Sequence, residues 1–189
     1  MLHLFNISSY FYIMPTEPDI IQNIKKLFTR EEIGAKTALV NEGAVAKKIY
    51  YLETGSARTW FNYDGKDVTF QFIFEGQFIS SFESLISGAP SWYSIETMES
   101  SVVYSTTTGE FQQKMEQFPH VRDFYNHYVQ QRLLLYQKLF VSHIKDSPEK
   151  RYKELLQQFP EIIRRIPQHY IASYLGITSV SLSRIRNRK

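Results

Sequence analysis

The residues with the most specific chemistry lie in the last 23 positions, from Pro167 to Lys189. Arg184 follows Val180 and Ser183 in a stretch whose apolar residues have helical spacing. An arginine on such a helix can bond bidentately to O6 and N7 of a guanine, and a valine can contact a thymine methyl group. The stretch therefore predicts a helix that enters the major groove of DNA and reads base edges.

Such a helix must be positioned by another, and the preceding residues have the steric features of a helix-turn-helix. Ala172 is small enough to lie beneath a crossing helix, Gly176 suits the positive φ of a tight turn, and Thr178 can cap the next helix. We expect one helix from Pro167 and a second from about Ser179 to Asn187. Their shared core is predicted to contain Ile171, Leu175, Ile177, Leu182 and Ile185.

The residues of this segment divide by expected role. The start of the second helix faces base edges, whereas its later cations and the start of the first helix meet phosphates. The residues predicted to contact DNA are Gln168, His169, Thr178, Ser179, Val180, Ser181, Ser183, Arg184, Arg186 and Arg188. The alternative interpretation is an ordinary helical hairpin with a basic surface.

The distribution of charge favours DNA binding. Residues 1–142 contain 12 Lys or Arg and 15 Asp or Glu, a net charge of −3, whereas residues 143–189 contain 10 and 4, a net charge of +6. A basic module after a slightly acidic one is typical of a protein whose end binds a polyanion. A solubilising basic tail is the other explanation of this asymmetry.

Composition excludes several classes of protein. With 189 residues, 43% of them apolar, and no cysteine, the chain is expected to form one domain or two small ones, without disulfides or an iron–sulfur cluster. No run approaches the ~20 apolar residues of a membrane helix, so we expect a cytoplasmic protein with no membrane partner.

No enzymatic constellation is visible in the sequence. It has no paired carboxylate and histidine, no phosphate-binding glycine loop and no nucleophile elbow, so the chain is not expected to be an enzyme, and no metal site is expected. Glu83, Glu96 and Glu99 are interpreted as lone, solvated acids of a β-region.

Residues 35–108 have the pattern of short strands. Glycines recur at positions 43, 55, 65 and 76, and the runs between them are rich in β-forming residues. Asp64-Gly65 is a hairpin signal, because its turn needs positive φ. A second β-rich run covers 94–107. Together these features predict an antiparallel barrel or sandwich.

A long helix is predicted over 118–142, which has one proline at its front and no glycine. Its 3-4 apolar spacing predicts a seam that pairs with a second copy of the chain. Packing against the chain's own barrel is the alternative. The predicted dimer residues are Val121, Tyr125, Tyr128, Arg132, Leu135 and Leu139. Ser147 before Pro148 then predicts the start of a further helix, over 148–158.

With these motifs in this order, the chain resembles the Crp/Fnr superfamily of bacterial regulators, the class of the cyclic AMP receptor protein. The resemblance runs from about Ile20 to the end and rests on Tyr50-Tyr-Leu-Glu-Thr-Gly55, Phe74-Glu-Gly-Gln-Phe-Ile79, Leu175-Gly176-Ile177 and Leu182-Ser183-Arg184. It implies an α+β fold in four parts. These are an N-terminal arm (1–19), an antiparallel double-stranded β-helix, or jelly roll, like a cyclic-nucleotide-binding domain (20–117), a dimerisation helix (118–145) and a helix-turn-helix DNA-binding domain (146–189).

The chain departs from that family where its nucleotide-binding members hold their ligand. Those members carry Gly-Glu-Leu, whose Glu accepts from the ribose hydroxyl, and later an Arg that pairs with the cyclic phosphate. Here Ser80-Ser81-Phe82 and Ser91-Trp92 take these places, and nothing between Lys66 and Lys114 is basic. Because the strongest phosphate contact is missing, cyclic AMP is not expected to bind.

Two interpretations of the roll stay open. In the first, it holds a neutral polar effector with Ser80, Ser81, Phe82 and Ser91, with Trp92 and Tyr93 as walls. In the second, the roll is filled by its own side chains and has no ligand.

The function implied by the resemblance is a homodimeric transcription regulator that binds a palindromic operator in double-stranded DNA and responds to a small-molecule effector. RNA polymerase is a candidate partner. Val180 stands where the family often has a Glu, so the operator is expected to differ from the usual half-site. Since the chain stops soon after this helix, a wing is expected to be absent or shortened. The alternative function is an effector-binding module whose C-terminal helices contact proteins.

Overall fold

A computed structural model of the chain describes residues 18–160 and 162–187. The described residues divide into two compact units, one ending at His127 and the other beginning at Tyr128, so the division falls inside a long helix. The predicted N-terminal arm lies outside the described residues up to Glu17, as does Arg188.

The first unit contains, among the described residues, eight strands, three helices and the start of the long helix. In chain order they are α1 (Pro18–Leu27), β1 (Thr29–Ile33), β2 (Ala38–Val40), β3 (Lys48–Thr54), β4 (Ala57–Tyr63), β5 (Lys66–Ile73), β6 (Phe78–Ile79), α2 (Phe82–Ser87), β7 (Ser94–Thr97), β8 (Ser101–Thr107), α3 (Thr108–Gln117) and α4 (Pro119–Lys145).

The strands form two antiparallel four-stranded sheets, with the orders β1-β8-β3-β6 and β2-β7-β4-β5. Both sheets contribute to one apolar core, in which Leu52 and Ile79 of the first sheet and Ala57 and Ile95 of the second are fully buried. Facing sheets that share such a core form a sandwich. The predicted antiparallel sandwich is therefore confirmed, and we refer to it as the roll.

Two turns of the roll need glycine. Asp64 and Gly65 both have positive φ, 52° and 73°, and close the predicted hairpin between β4 and β5. Gly55 has a φ of 105°, and a Cβ there would lie 2.2 Å from Ser101 Oγ. Both its backbone conformation and the close approach of β8 therefore exclude a side chain at this position.

The second unit contains the rest of α4 and four shorter helices, α5 (Pro148–Gln158), α6 (Ile162–Arg165), α7 (Gln168–Tyr174) and α8 (Ser179–Asn187). Ser147 caps α5 by accepting a hydrogen bond from the Lys150 backbone N–H at 3.3 Å, and Pro148 occupies the first turn. These features explain why α5 has the predicted bounds. The buried residues of the unit include Tyr152, Leu155, Phe159, Ile162, Ile166, Ile171, Leu175 and Leu182.

Among the described residues, no helix combines the length and the apolar character needed to cross a bilayer.

Candidate nucleic-acid interface and ligand site

The predicted ligand-site serines come from two segments that the fold brings together. Ser80 and Ser81 follow β6, Ser91 precedes β7, and all three are buried. Ser81 Oγ lies 2.7 Å from Ser91 Oγ, and Ser91 Oγ lies 2.7 Å from the carbonyl oxygen of Tyr93. The serine hydroxyls therefore bond to groups of the protein itself.

Glu83 is the acceptor at the centre of this group, a role that the sequence analysis missed. Its carboxylate accepts hydrogen bonds from the Ser81 hydroxyl at 2.6 Å, the Tyr93 hydroxyl at 2.9 Å and the Trp92 backbone N–H at 3.4 Å. Burial alone would raise the pKa of Glu83, but these hydrogen bonds outweigh it and lower the pKa. We call Ser81, Glu83, Ser91 and Tyr93 the Glu83 cluster.

The other predicted ligand residues lie around the Glu83 cluster with different surroundings. Ser80 donates to a backbone carbonyl of β3 at 2.9 Å, and Phe82 begins α2 half-buried. Trp92 is 75% exposed, so it does not form the wall predicted for it. Tyr93 does pack as a wall, edge-on against Phe70 with ring centroids 5.2 Å apart.

Arg58 on β4 is a buried cation of the roll, and it precedes the stretch between Lys66 and Lys114 that has no basic residue. Its Nε donates to Glu96 at 2.6 Å, its Nη2 to Asp67 at 2.8 Å, and its Nη1 to Thr69 at 3.1 Å. Two carboxylates thus already neutralise this guanidinium. A ligand phosphate would have to compete with both of them for Arg58.

The interpretation of the three acids as lone and solvated was wrong. Glu83 is held by the donors described above, and Glu96 pairs with Arg58. Glu99 accepts a hydrogen bond from the Ser56 hydroxyl at 2.6 Å. All three carboxylates therefore have structural partners in the roll.

The predicted dimer residues on α4 need a correction, because they pack inside their own chain. Val121, Tyr128 and Leu135 are almost fully buried, Arg132 is 8% exposed and Leu139 is half-buried. Tyr125 packs against Phe111 and Phe78, with ring centroids 4.9 and 5.6 Å apart. These positions leave little surface for a second copy of the chain.

A different apolar stripe on α4 is exposed. Its members, which we call the outer stripe, are Val129, Leu133, Tyr136, Phe140 and Ile144. They follow a 4-3-4-4 spacing, so they share one side of the helix. The same spacing was visible in the sequence and is wholly apolar or aromatic, whereas the predicted seam included an arginine.

Helices α7 and α8 form a tight hairpin. Ile171, Ala172, Leu175 and Leu182 are buried in it. Gly176 has a φ of 68° at the turn, where its N–H donates to the Ser173 carbonyl at 2.9 Å. Ala172 in the core of the hairpin and Gly176 at its turn therefore occupy the positions predicted from the sequence.

The hairpin presents one side of α8 to solvent. Ser179, Val180, Ser183, Arg184 and Arg186 are exposed, and Val180 has 62% of its surface accessible. Leu182, on the other side of the helix, is buried. Val180, Ser183 and Arg184 lie on the side away from Leu182, whereas Arg186, four residues after Leu182, lies closer to it. The side away from Leu182 thus combines a hydroxyl, one apolar branched side chain and one guanidinium group.

The remaining residues predicted to contact DNA have more specific surroundings. Thr178 Oγ accepts from the Ser181 backbone N–H at 3.1 Å and caps α8, while Ser181 itself is half-buried. Gln168 and His169 are exposed at the start of α7, and the ring centroids of His169 and Tyr170 are 4.0 Å apart. Thr178 and Ser181 are therefore engaged in the cap.

Comparison with known families and structures supports the fold. Residues 30–118 match the cyclic nucleotide-binding domain family. Among solved structures, a mutant of CooA from Carboxydothermus hydrogenoformans is 18% identical with a TM-score of 0.70, and the match covers 94% of this chain and 86% of that one. FixK2 from Bradyrhizobium japonicum is 18% identical with a TM-score of 0.65, covering 84% and 82%.

The Catabolite Activator Protein of Thermus thermophilus is 16% identical with a TM-score of 0.57, covering 94% of this chain and 84% of that one. At such identities the likeness shows the fold alone, an antiparallel β-sandwich domain followed by helices. A comparison with curated protein sequences gives no match.

Replacing Glu83 with Gln is expected to destabilise the roll at neutral pH and to matter less in acid. Folding lowers the pKa of Glu83, so its ionised form stabilises the folded state above the unfolded-state pKa. This contribution is lost as the pH falls through the folded-state pKa. The difference in thermal stability between the wild type and Glu83→Gln is therefore expected to stay constant from about pH 7 to about pH 5 and to shrink between about pH 5 and about pH 3.

Glu116, which is exposed on α3, provides the matched control. Glu116→Gln is expected to unfold like the wild type across the same pH series. A stability difference for Glu83→Gln that stays constant with pH would contradict the role of Glu83 as an ionised acceptor.

Proposed function

We propose that this chain, whose residues 30–118 form a cyclic nucleotide-binding domain, is a homodimeric transcription regulator that binds a palindromic operator in double-stranded DNA through α8. The observation that carries the proposal is the solvent-facing side of α8, where Val180, Ser183 and Arg184 are all exposed. A helix held outward by a packed hairpin, with a cation among small side chains, suits the major groove.

Specificity comes from the side chains that reach base edges. Arg184 is long enough to donate two hydrogen bonds to O6 and N7 of one guanine. Val180 cannot hydrogen-bond, and its exposed methyl groups suit the methyl group of a thymine. Since Thr178 and Ser181 are engaged in the helix cap, Ser179 and Ser183 are the hydroxyls left to contact the DNA.

Affinity comes mainly from phosphate contacts. Arg186 and Arg188 follow Arg184 on the same segment, and the net charge of residues 143–189 is +6. Gln168 and His169 are exposed on α7 and add donors to the DNA backbone. Binding through such contacts weakens steeply as salt concentration rises, because each contact releases condensed counterions.

A homodimer explains the outer stripe of α4. Five large apolar side chains at 4-3-4-4 spacing on one exposed side of a 27-residue helix are costly to leave in water. The same stripe on a second copy covers them in a two-fold coiled coil. A two-fold pair of α8 helices then requires an operator with two inverted half-sites.

The effector of the proposed regulator is not cyclic AMP. The Glu83 cluster places an ionised carboxylate, rather than a cation, beside Ser81 and Ser91. The cation Arg58 is already neutralised by Asp67 and Glu96. A cyclic phosphate would therefore meet negative charge in this part of the roll.

Arg184→Ala is expected to cost about 1–3 kcal/mol of binding free energy and to relax the preference for one base in each half-site. The loss corresponds to roughly 5- to 150-fold in affinity. The operator is first obtained by selection from a random duplex pool, and the affinities are then measured by fluorescence anisotropy at fixed salt concentration.

Arg122→Ala removes an exposed arginine from α4 and is the control for the lost charge. It is expected to leave the affinity and the base preference unchanged. An unaltered preference for Arg184→Ala would show that another element reads the DNA, and indifference to DNA at low salt would favour protein contacts by α7 and α8.

Leu133→Glu combined with Phe140→Glu is expected to convert the dimer into folded monomers, because two like charges would be buried in the seam of each copy. Both residues are well exposed, at 59% and 68%, so the monomer fold tolerates the change. Sedimentation velocity measures the mass, with the exposed pair Gln112→Glu and Gln113→Glu as a charge-matched control. A double variant that still sediments as a dimer would exclude the outer stripe as the interface.

Isothermal titration of the dimer with cyclic AMP and cyclic GMP is expected to show no saturable binding in the micromolar range, since the buried cation Arg58 is already paired with Asp67 and Glu96. The same preparation must bind its selected operator, which establishes that the protein is active. Micromolar affinity for either nucleotide would overturn the proposal that the roll does not take a cyclic nucleotide as its effector.

A further inference from the structure

A small cavity lies within the second unit, between α4 and α5 and beside Tyr174 of α7. Its volume is about 50 Å³. A water molecule needs roughly 10–15 Å³ of such space, so the cavity has room for a molecule of about four or five heavy atoms. The cavity is separate from the exposed side of α8 and from the Glu83 cluster.

One wall of the cavity is apolar and comes from two helices. Leu135 and Leu139 of α4 face Leu155 of α5 and Phe159, the residue after α5. Leu155 and Phe159 are buried core residues, which gives this wall a fixed position. A hydrocarbon group placed here would be removed from water on several sides.

The polar side of the cavity contains an arginine with unmet hydrogen-bonding capacity. Arg151 Nη2 donates to the carbonyl of Leu175 at 2.8 Å, which fixes the guanidinium against the turn between α7 and α8. The Nε–H is buried and has no acceptor, and within the described residues no carboxylate lies in salt-bridge range of Arg151. Buried donors of this kind are normally satisfied, so the site lacks an acceptor.

The other charged groups around the cavity make it more suited to an anion. Lys138 of α4 lines it together with Arg151, and Glu154 is the carboxylate among the lining residues. Glu154 lies 3.9 Å from Lys150, which offsets part of its charge. Cationic groups thus exceed carboxylates around the cavity.

Tyr174 adds a hydroxyl that stays protonated. Burial of this group raises the pKa of Tyr174 to about 12, so the phenol keeps its proton at physiological pH. Its ring lies edge-on to that of His143, with centroids 6.2 Å apart, and His143 Nδ1 lies 3.0 Å from the Leu139 carbonyl oxygen. These contacts therefore fix the positions of the Tyr174 and His143 rings at the polar side of the cavity.

We propose that this cavity binds a short-chain carboxylate of two or three carbons, whose oxygens accept hydrogen bonds from Arg151 and whose hydrocarbon end contacts Leu135 and Leu139. The size of the cavity excludes a nucleotide, and its apolar wall favours a carboxylate over inorganic phosphate. The binding itself is independent of the proposed DNA recognition.

The position of Arg151 also gives the ligand a route to the DNA-reading helix. Arg151 holds the Leu175 carbonyl, one residue before the turn at Gly176 that leads to α8. A carboxylate that fixes this guanidinium would stabilise the α7–α8 turn relative to α4 and α5. An effect on DNA affinity rests on the proposed function, whereas binding to the cavity does not.

Thermal unfolding of the full-length chain tests the binding, with sodium propionate and sodium acetate compared with sodium chloride at equal ionic strength. Propionate is expected to raise Tm saturably, by roughly 3–5 °C at ten times its dissociation constant. Sodium phosphate is the second comparison and is expected to give a smaller shift. A larger shift with phosphate, or equal shifts with all salts, would overturn the proposal.

Variants assign the effect to the cavity. Arg151→Met removes the donor but keeps the apolar stem, and it is expected to abolish the difference between propionate and chloride. Leu139→Phe fills the cavity and leaves every charge in place, so it tests the site even where Arg151→Met does not fold. Lys153→Met, on an exposed residue of the same helix, is the control and is expected to respond like the wild type. A propionate response retained by both cavity variants would overturn the proposal.

DNA affinity, measured with and without propionate, distinguishes a failure of the carboxylate site from a failure of the proposed DNA-binding function. A saturable thermal shift without any DNA binding would leave the carboxylate site standing and reject the regulator function. Conversely, specific DNA binding with no propionate shift would reject only the site.

Discussion

A buried polar group must find a partner, because leaving it without one costs as much as the desolvation it has undergone. This constraint is met at Glu83 and Arg58 of the roll, although Trp60 Nε1 on β4 is a buried donor without an acceptor, and it is unmet at Arg151 of the second unit. In the roll, Glu83 and Arg58 are each surrounded by donors or acceptors from neighbouring segments, which fixes the positions of α2, β4 and β7. In the second unit, the Arg151 Nε–H has no such partner. The ligand site that we propose therefore lies at the Arg151 donor rather than at the serines of the Glu83 cluster.

Local chemistry made several elements predictable from the sequence. Helix α5 begins at Pro148 because Ser147 caps it, and the β4–β5 hairpin follows from Asp64-Gly65, whose backbone needs positive φ. Strand β1 was not predictable in this way, because it reads Thr-Arg-Glu-Glu-Ile and carries almost no apolar pattern. That strand exists because it pairs along β8, where Glu31 accepts from Ser105 and Lys48. Such cross-strand pairing is absent from any single stretch of sequence.

The candidate sites show the same limit more sharply. The exposed residues of α8 were predictable because local spacing determines which side chains share a helix surface. The structural role of Arg58, in contrast, depends on partners on β5 and β7 that lie 9 and 38 residues away. The long helix carries two apolar stripes of similar spacing. Tyr125 meets Phe111 and Phe78, which decides which stripe the chain uses for its own packing. Periodicity alone could identify the stripes but could not rank them.

Fold and ligand chemistry are physically separable in this roll. Ile79 and Ile95, which are fully buried in the shared core, lie one residue before the Ser80-Ser81 pair and two after Tyr93. The side chains that hold the sheets together are thus interleaved with those that would meet a ligand, but they are different side chains. The Ser81 hydroxyl, which bonds to Glu83, therefore does not disturb the apolar core. A chain can therefore match the cyclic nucleotide-binding domain family over residues 30–118 while a carboxylate, that of Glu83, lies beside Ser81.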